Sequence, residues 1–484
     1  MSFTRNFIKD SAIYVIPGII SRGVGFLLIP LYTRILTPTD YGVLDLFIII
    51  GSLINLTIAL EISQGVARYH VDTENALTKR YYASTGFWFS VLAYSLFCLF
   101  AFYFSENLAY LITGSQDYRS TFQLSIFYFA LNGLFLFLQN QFRWELKSRH
   151  YAVISVLMTC VTALFALIFA YFMDLGLNGI LMGMICGSLS ASMYGCYKLR
   201  TSFGLIFSYN SLRELLAFSL PLVPASICVF ISSFIDRMMI NTFMNLEDVG
   251  IYGVGFRLAS VISLILMGFQ GAITPLIYKH YKEEKFPQEF ANIFRYFIAF
   301  SLLCVLGLSI FAKEALIILT VAEYFKASYI VIYLAPAILL SGMYIFSPGI
   351  GIRKKTKLIL WINVFGAATN ALLNYLLIPY LGLQGAALGT LLGNCFVFFL
   401  YMLFSQKLYK IPHNWVLLLG ITSVTMFLAY IGTHMGTGLY NIIIKVLIML
   451  LVSVFIYSFR IIRKEEIIAG LRLLNKHSSL GAKK

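Results

Sequence analysis

Charge is what this sequence has least of. Asp, Glu, Lys and Arg together make up 12% of its 484 residues, about half the share found in soluble globular chains. So few charges cannot cover the water-facing surface of a chain this long. Cys-x-x-Cys spacing, a His-Glu-x-x-His pattern and a Walker A loop are all missing, which argues against redox, zinc-protease and ATP-hydrolysing chemistry within the chain. The seven cysteines, at 98, 160, 186, 196, 228, 304 and 395, all fall within apolar runs. They read as small buried hydrophobes rather than metal ligands, and neither a catalytic residue nor a metal site is expected. Long hydrophilic segments are also scarce, so no separate soluble domain is expected.

Apolar residues dominate instead, at 60% of the chain. They lie in unbroken runs of about 20 residues, the length of a helix crossing a ~30 Å hydrocarbon core. Only helices and closed barrels satisfy their backbone groups in lipid. Barrel strands would alternate over about ten residues, which these runs do not. The fold class expected is therefore all-α, a polytopic membrane protein of about fourteen transmembrane helices. The first expected span covers 12–36 and the last 441–461; the second covers 43–65, and the eleventh and twelfth cover 358–380 and 384–405. The first run contains Pro17 and Arg22 and continues to Leu36, too long for a signal-peptide core.

The formal net charge is +15, which in a soluble protein would suggest nucleic acid. Of the 36 Lys and Arg, however, 28 fall on one side of the expected spans, six on the other, and two (Arg22 and Arg257) within spans. Such a bias places both termini in the cytoplasm and accounts for the charge without nucleic acid.

Short motifs recur at nearly constant spacing. Leu175-Gly176-Leu177-Asn178-Gly179 returns as Leu381-Gly382-Leu383-Gln384-Gly385, and Asp117-Tyr118 as Glu323-Tyr324. Asp40-Tyr41-Gly42 returns as Asp248-Val249-Gly250, and Pro17 as Pro224. The offsets are 206 to 208 residues, which predicts two parallel six-helix lobes plus two C-terminal helices. The divisions expected are 1–205 (spans 1–6), 206–411 (spans 7–12) and 412–484 (spans 13–14 with a cytoplasmic tail). Transporters place substrate sites between such repeats.

Ionisable residues at membrane depth are costly and usually face a wet cavity or a partner. Arg22 and Arg257 are the sharpest cases, and a guanidinium fork suits phosphate. They are the candidates for holding an anion; internal ion pairing, for example of Arg22 with Glu61 or Asp45, is the other reading. Arg34, Asp236 and Arg237 sit near outer span ends, as vestibule or gating residues, or as interface anchors or local pairs. Glu61 could carry a coupling H+ or Na+, or pair with a cation.

The stretch Leu27-Leu28-Ile29-Pro30-Leu31-Tyr32-Thr33-Arg34-Ile35-Leu36-Thr37-Pro38-Thr39-Asp40-Tyr41-Gly42 resembles the opening of the polysaccharide transporter family. This family of lipid-linked oligosaccharide flippases belongs to the multidrug/oligosaccharidyl-lipid/polysaccharide superfamily. Gln64-Gly65-Val66-Ala67-Arg68-Tyr69 and the two Leu-Gly-Leu-x-Gly turns are similar to it as well. The resemblance implies an alternating-access carrier in a bacterial plasma (inner) membrane, needing no cofactor beyond a coupling ion. Its substrate would be an undecaprenyl-diphosphate-linked oligosaccharide, moved to the periplasmic leaflet for O-antigen, lipopolysaccharide or other surface polysaccharide. Membrane lipid and polysaccharide assembly machinery would be its partners, and a monomer could hold the whole pathway. Related peptidoglycan-precursor flippases carry cavity cations on spans 1, 2 and 8; here span 2 offers Glu61 instead. Multidrug or cation efflux, a peptidoglycan-precursor flippase and a membrane polysaccharide polymerase are the competing readings.

Overall fold

The structure, a computed structural model, describes residues 23–458 apart from 24, 27 and 354. Most of the expected first span, Arg22 with it, lies outside the described residues. Every regular element described is helical. The first half runs α1 (Ile29–Ile35), α2 (Pro38–Thr57), α3 (Ile62–Asp72), α4 (Ala76–Tyr103), α5 (Ser105–Thr113), α6 (Arg119–Trp144), α7 (Ser148–Ala166) and α8 (Gly176–Lys198). A connecting helix, α9 (Tyr209–Ser219), leads to α10 (Val223–Phe243), α11 (Leu246–Ala259), α12 (Ser263–His280), α13 (Phe286–Ile310), α14 (Ala312–Leu319) and α15 (Ser328–Gly342). A four-residue turn, α16 (Gly349–Ile352), precedes α17 (Thr356–Leu408), α18 (Trp415–Thr433) and α19 (Leu439–Ser458).

Among the described residues, twelve helical segments are long and apolar enough to cross a membrane. One of them, Lys357–Leu408, is 52 residues long, about twice what a ~30 Å core needs. It breaks at Gly382 (φ 57°, ψ −134°), between the eleventh and twelfth expected spans. Gly176, its counterpart in the repeat, also has positive φ (50°). The repeated Leu-Gly-Leu-x-Gly motif is thus a pair of left-handed bends that glycine adopts without a Cβ clash.

The Asp-x-Gly repeat has an equally local cause. Thr37 caps α2 by accepting from the Asp40 amide at 3.1 Å, and Asn245 caps α11 by accepting from the Asp248 amide at 2.8 Å. In each case the side chain satisfies an orphan donor of the first turn, and the acidic residue lies against the positive end of the helix dipole. Two residues later the glycines bring the helices together. A Cβ on Gly42 would stand 2.0 Å from the Leu246 carbonyl oxygen, and one on Gly250 would stand 1.9 Å from that of Pro38. The two halves therefore meet backbone to backbone at equivalent points, α2 against α11.

One difference from the sequence reading concerns the second span. The run 43–65 reads as continuous, but α2 ends at Thr57 and α3 begins at Ile62. Leu60 and Glu61 between them have φ of 50° and 52°, a left-handed conformation uncommon for residues with a Cβ. Hydrogen bonds there run from Leu60 to Thr57, Ile62 to Ala59 and Gln64 to Glu61, a three-residue spacing that tightens the chain.

Candidate functional site

Just inside the glycine crossing, four ionisable side chains from both halves converge. Asp45 comes from α2, Asp236 and Arg237 from α10, and Arg257 from α11. Arg237 Nε donates to Asp45 Oδ2 at 3.0 Å, and its Nη1 donates to Asp236 Oδ1 at 3.1 Å. Asp236 Oδ1 also accepts from the Arg237 amide at 2.9 Å. Its Oδ2 accepts from the Tyr252 hydroxyl at 2.6 Å and from Thr390 at 3.4 Å. Arg237, Asp236 and Asp45 are 2%, 3% and 8% exposed, so these charges are removed from solvent. Burial of that kind is tolerable only where partners satisfy the groups. The Arg237 guanidinium is further covered by the Phe256 ring, 4.0 Å from its centroid, where the ring face attracts a cation.

Arg257 occupies a different position in the cluster. Its Nη2 lies 3.6 Å from Asp45 Oδ1, and its side chain keeps 25% of its surface accessible. It also stands over the Tyr41 ring at 4.7 Å. Tyr41 is packed edge-on against Tyr324, whose hydroxyl donates to the Leu36 carbonyl at 3.0 Å. Two arginines and two aspartates balance formally, but Asp45 is shared. Arg237 takes it in a close hydrogen bond and Arg257 in a looser ion pair.

Of the sequence candidates, the structure therefore brings together Arg257, Asp236 and Arg237. Arg34 stays apart, exposed in the last turn of α1. Glu61 lies at the α2–α3 break, about 30 Å down the helix from Pro38 at 1.5 Å per residue. Its Oε1 accepts from Ser226 of α10 at 2.6 Å, a second link between the halves. Arg22 lies outside the described residues. Sequence reasoning named Asp45 only as a partner for Arg22, whereas it bridges two arginines of the other half. Tyr41 was noted only as part of the Asp40-Tyr41-Gly42 motif, and Tyr252 and Thr390 were not singled out at all. The one available signal was a lone carboxylate in the apolar run following Asp40-Tyr41-Gly42.

A separate apolar groove of about 770 Å³ lies in the second half, lined by Phe294, Pro336, Met343, Phe398, Trp415 and Met426 among others. Among the described residues no group of three or more His, Cys, Asp or Glu is placed to hold a metal ion.

The same arrangement of helices recurs in solved transporters. The lipid II flippase MurJ in an inward closed conformation superposes with a TM-score of 0.73 at 15% identity, covering 93% of this chain and all of that one. An inward-facing multidrug resistance MATE transporter of the MOP superfamily superposes at 0.65 with 16% identity, over 82% of this chain and 97% of that one. By sequence, the chain is 25% identical over 287 residues to an Lsg locus protein of Haemophilus influenzae, covering 57% of this chain and 67% of that protein. It is 24% identical over 229 residues to Agl15 of Haloferax volcanii, named a probable low-salt glycan biosynthesis flippase, covering 45% of this chain and 46% of that protein. The match therefore spans less than half the length of the second relative. A family profile described as MatE matches residues 221–376. The profile described as polysaccharide biosynthesis protein matches residues 7–281. With more than half of its 484 residues matched to that last profile, on a scaffold shared with flippases and transporters, the chain is a multi-pass membrane protein of the polysaccharide biosynthesis protein family.

Proposed function

We propose that the protein flips a polyprenyl-diphosphate-linked oligosaccharide from the cytoplasmic to the periplasmic leaflet of a bacterial inner membrane, feeding O-antigen or another surface polysaccharide. Two six-helix lobes, 1–205 and 206–411, rock about the α2–α11 crossing, and 412–484 adds the last two spans and a cytoplasmic tail. Family membership and the glycan-flippase relative support the substrate class. The observation that carries the reading is the shared carboxylate. Arg257 is a half-satisfied guanidinium with accessible surface, held at 3.6 Å by an aspartate that already serves Arg237.

A diphosphate presents several anionic oxygens and matches the guanidinium fork in two parallel bonds. It would replace the single loose contact that Asp45 makes with Arg257. Release of Arg257 from Asp45 loosens one of the ties between α2 and α11, which links arrival of the head group to parting of the lobes. Arg22, on the first span, is the second arginine assigned to the diphosphate. Arg34, Asp236 and Arg237 belong to the outer gate in this scheme. The apolar groove beside α13 and α18 suits a hydrocarbon chain of the substrate or of bilayer lipid.

Efflux of organic cations is the second reading, favoured by the MatE profile over 221–376. Such cargo calls for free carboxylates, and Asp45 and Asp236 are both bound by Arg237. Measuring export of lipid-linked glycan by Arg257→Ala and Arg257→Lys at matched protein levels separates the readings. The flippase scheme expects strong loss with Ala and partial loss with Lys, because an ammonium keeps the charge without the fork. Full export by both variants would remove Arg257 from the substrate site.

A further inference from the structure

The segment joining the two halves has two unlike faces. Residues 201–208, between α8 and α9, belong to no helix, yet their backbone is bound from one side by α4. Trp88 Nε1 donates to the Gly204 carbonyl at 2.8 Å, and Arg80 Nη2 donates to that of Phe203 at 3.3 Å. The Gly204 amide donates to Ser84 Oγ at 2.9 Å, and the Ser208 amide to Thr85 Oγ1 at 3.1 Å. Phe203 also stacks on Phe87 of α4, with ring centroids 4.8 Å apart. Side chains of one helix thus satisfy backbone groups that an ordinary loop leaves to water.

The other face is apolar. Leu205, Phe207 and Tyr209, at every second position, are 92%, 52% and 74% exposed. Irregular backbone is kept out of lipid unless protein satisfies its polar groups, and α4 does this for Phe203, Gly204 and Ser208. Position along α4 sets the depth. This helix has 28 residues, about 42 Å at 1.5 Å per residue, so about 12 Å exceed a ~30 Å core. Its far end stays apolar to Tyr103, whereas Lys79 and Arg80 stand in its first turns. The excess therefore lies at the start, and the core begins about eight residues in, near Ser84. The side chains that bind the segment, from Arg80 to Trp88, straddle the boundary between head groups and acyl chains.

The charges around the segment are mainly basic. Lys198 and Arg200 precede it, each 5.0 Å from the centroid of the exposed Tyr197 ring, and tyrosine at a span end marks the membrane interface. Arg213 follows on the exposed side of α9. The neighbouring acid, Glu214, accepts from the Tyr82 hydroxyl of α4. α9 itself lies tight on α3, since a Cβ on Gly65 would stand 2.9 Å from the Leu215 carbonyl oxygen.

We propose that Leu205, Phe207 and Tyr209 insert into the leaflet at the Lys- and Arg-rich ends of the spans, where Lys198, Arg200 and Arg213 meet the head groups of anionic phospholipid. The connection between the halves is then a membrane-inserted foot of the first half, held at depth by its four bonds to α4. The inference rests on the chain spanning a membrane and not on the flippase reading.

The test uses the purified full chain in nanodiscs of equal parts phosphatidylcholine and phosphatidylglycerol. Photoreactive p-benzoylphenylalanine is placed in turn at Leu205, Phe207 and Tyr209, at Leu96 on the exposed apolar side of α4, and at the exposed Glu74. Mass spectrometry then identifies the adducts formed under light. Lipid adducts are expected at the three segment positions and at Leu96, but not at Glu74. Adducts at the segment to residues 1–22 or 459–484, adducts to a second copy, or lipid adducts at Leu96 alone would overturn the insertion. Phosphatidylglycerol should predominate at the segment, and Lys198→Gln and Arg200→Gln should each lower its excess about fivefold, the worth of one cation at an anionic surface. Equal adducts of the two lipids in the parent would overturn the head-group contact. Trp88→Phe combined with Thr85→Val removes two of the bonds with little change of shape. It should cut lipid adducts at Leu205 severalfold and leave those at Leu96 unchanged; undiminished adducts at Leu205 would show that α4 does not hold the foot in place.

Discussion

Gly42→Ala is the smallest change that should open the crossing between the halves. The new methyl group would lie 2.0 Å from the Leu246 carbonyl oxygen, while ordinary contact begins at 3.4 Å. The helices must therefore part by the difference, about 1.4 Å, and backbone cannot step aside as a flexible side chain does. Overpacking of this kind costs about 1–3 kcal/mol. Applied to an equilibrium between joined and parted arrangements, that is about a 5- to 150-fold shift. Separation of α2 from α11 also stretches the 3.6 Å contact of Arg257 with Asp45. The assay is labelling of Leu44→Cys by a membrane-impermeant maleimide on intact cells. Leu44 is fully buried beside the crossing, so its thiol should react slowly in the parent and faster by at least severalfold when Gly42→Ala is added. Gly250→Ala should do the same, because its methyl would meet the Pro38 carbonyl at 1.9 Å. Gly420→Ala, with nothing within 4 Å, should be silent. Equal labelling and equal melting temperature in parent and Gly42→Ala would refute the idea that this contact holds the halves together.

Other perturbations probe the buried charges. Asp45→Asn leaves Arg237 with one carboxylate and Arg257 with none among its described ion pairs; loss of about 3–5 kcal/mol is expected from a broken buried pair, seen as a lower melting temperature in detergent. Lys445, fully buried on α19, donates to Glu314 at 2.5 Å. Lys445→Met should destabilise by a similar amount, whereas the double change with Glu314→Leu should recover most of it. His413 packs against Phe294 and Trp415 in the loop before α18, with both ring nitrogens buried and unpartnered. Burial pushes its pKa down from 6.5 to about 4. The unfolded chain takes up this proton first, so stability should fall as pH drops from about 6.5 towards 4. His413→Phe should flatten the profile in that window, and an unchanged profile would rule out this cause.

What the sequence disclosed and what it hid divide along a physical line. Apolar runs state their own length, so most spans were legible, and local backbone demands repeat wherever the fold repeats. Gly176 and Gly382 are alike because both bends need positive φ; Asp40 and Asp248 are alike because both follow a helix cap. The break after Thr57 was hidden, because Ile58, Ala59 and Leu60 are as apolar as a continuous helix requires. Arg257 was visible as a costly charge and Arg237 as a charge near an outer span end, but their common partner Asp45 lies 192 residues from Arg237, and nothing local marks a pairing at that distance. The same holds for Glu61 and Ser226, 165 residues apart.

The most direct test of the central claim follows the lipid-linked glycan itself. Cells lacking the gene are converted to spheroplasts and treated with an impermeant glycosidase, and the polyprenyl-linked units are then extracted. The account predicts completed units that resist the enzyme and accumulate, loss of surface polymer, and recovery of both by the wild-type chain but not by Arg257→Ala. Units that remain open to the enzyme, with normal surface polymer in the deletion strain, would contradict it.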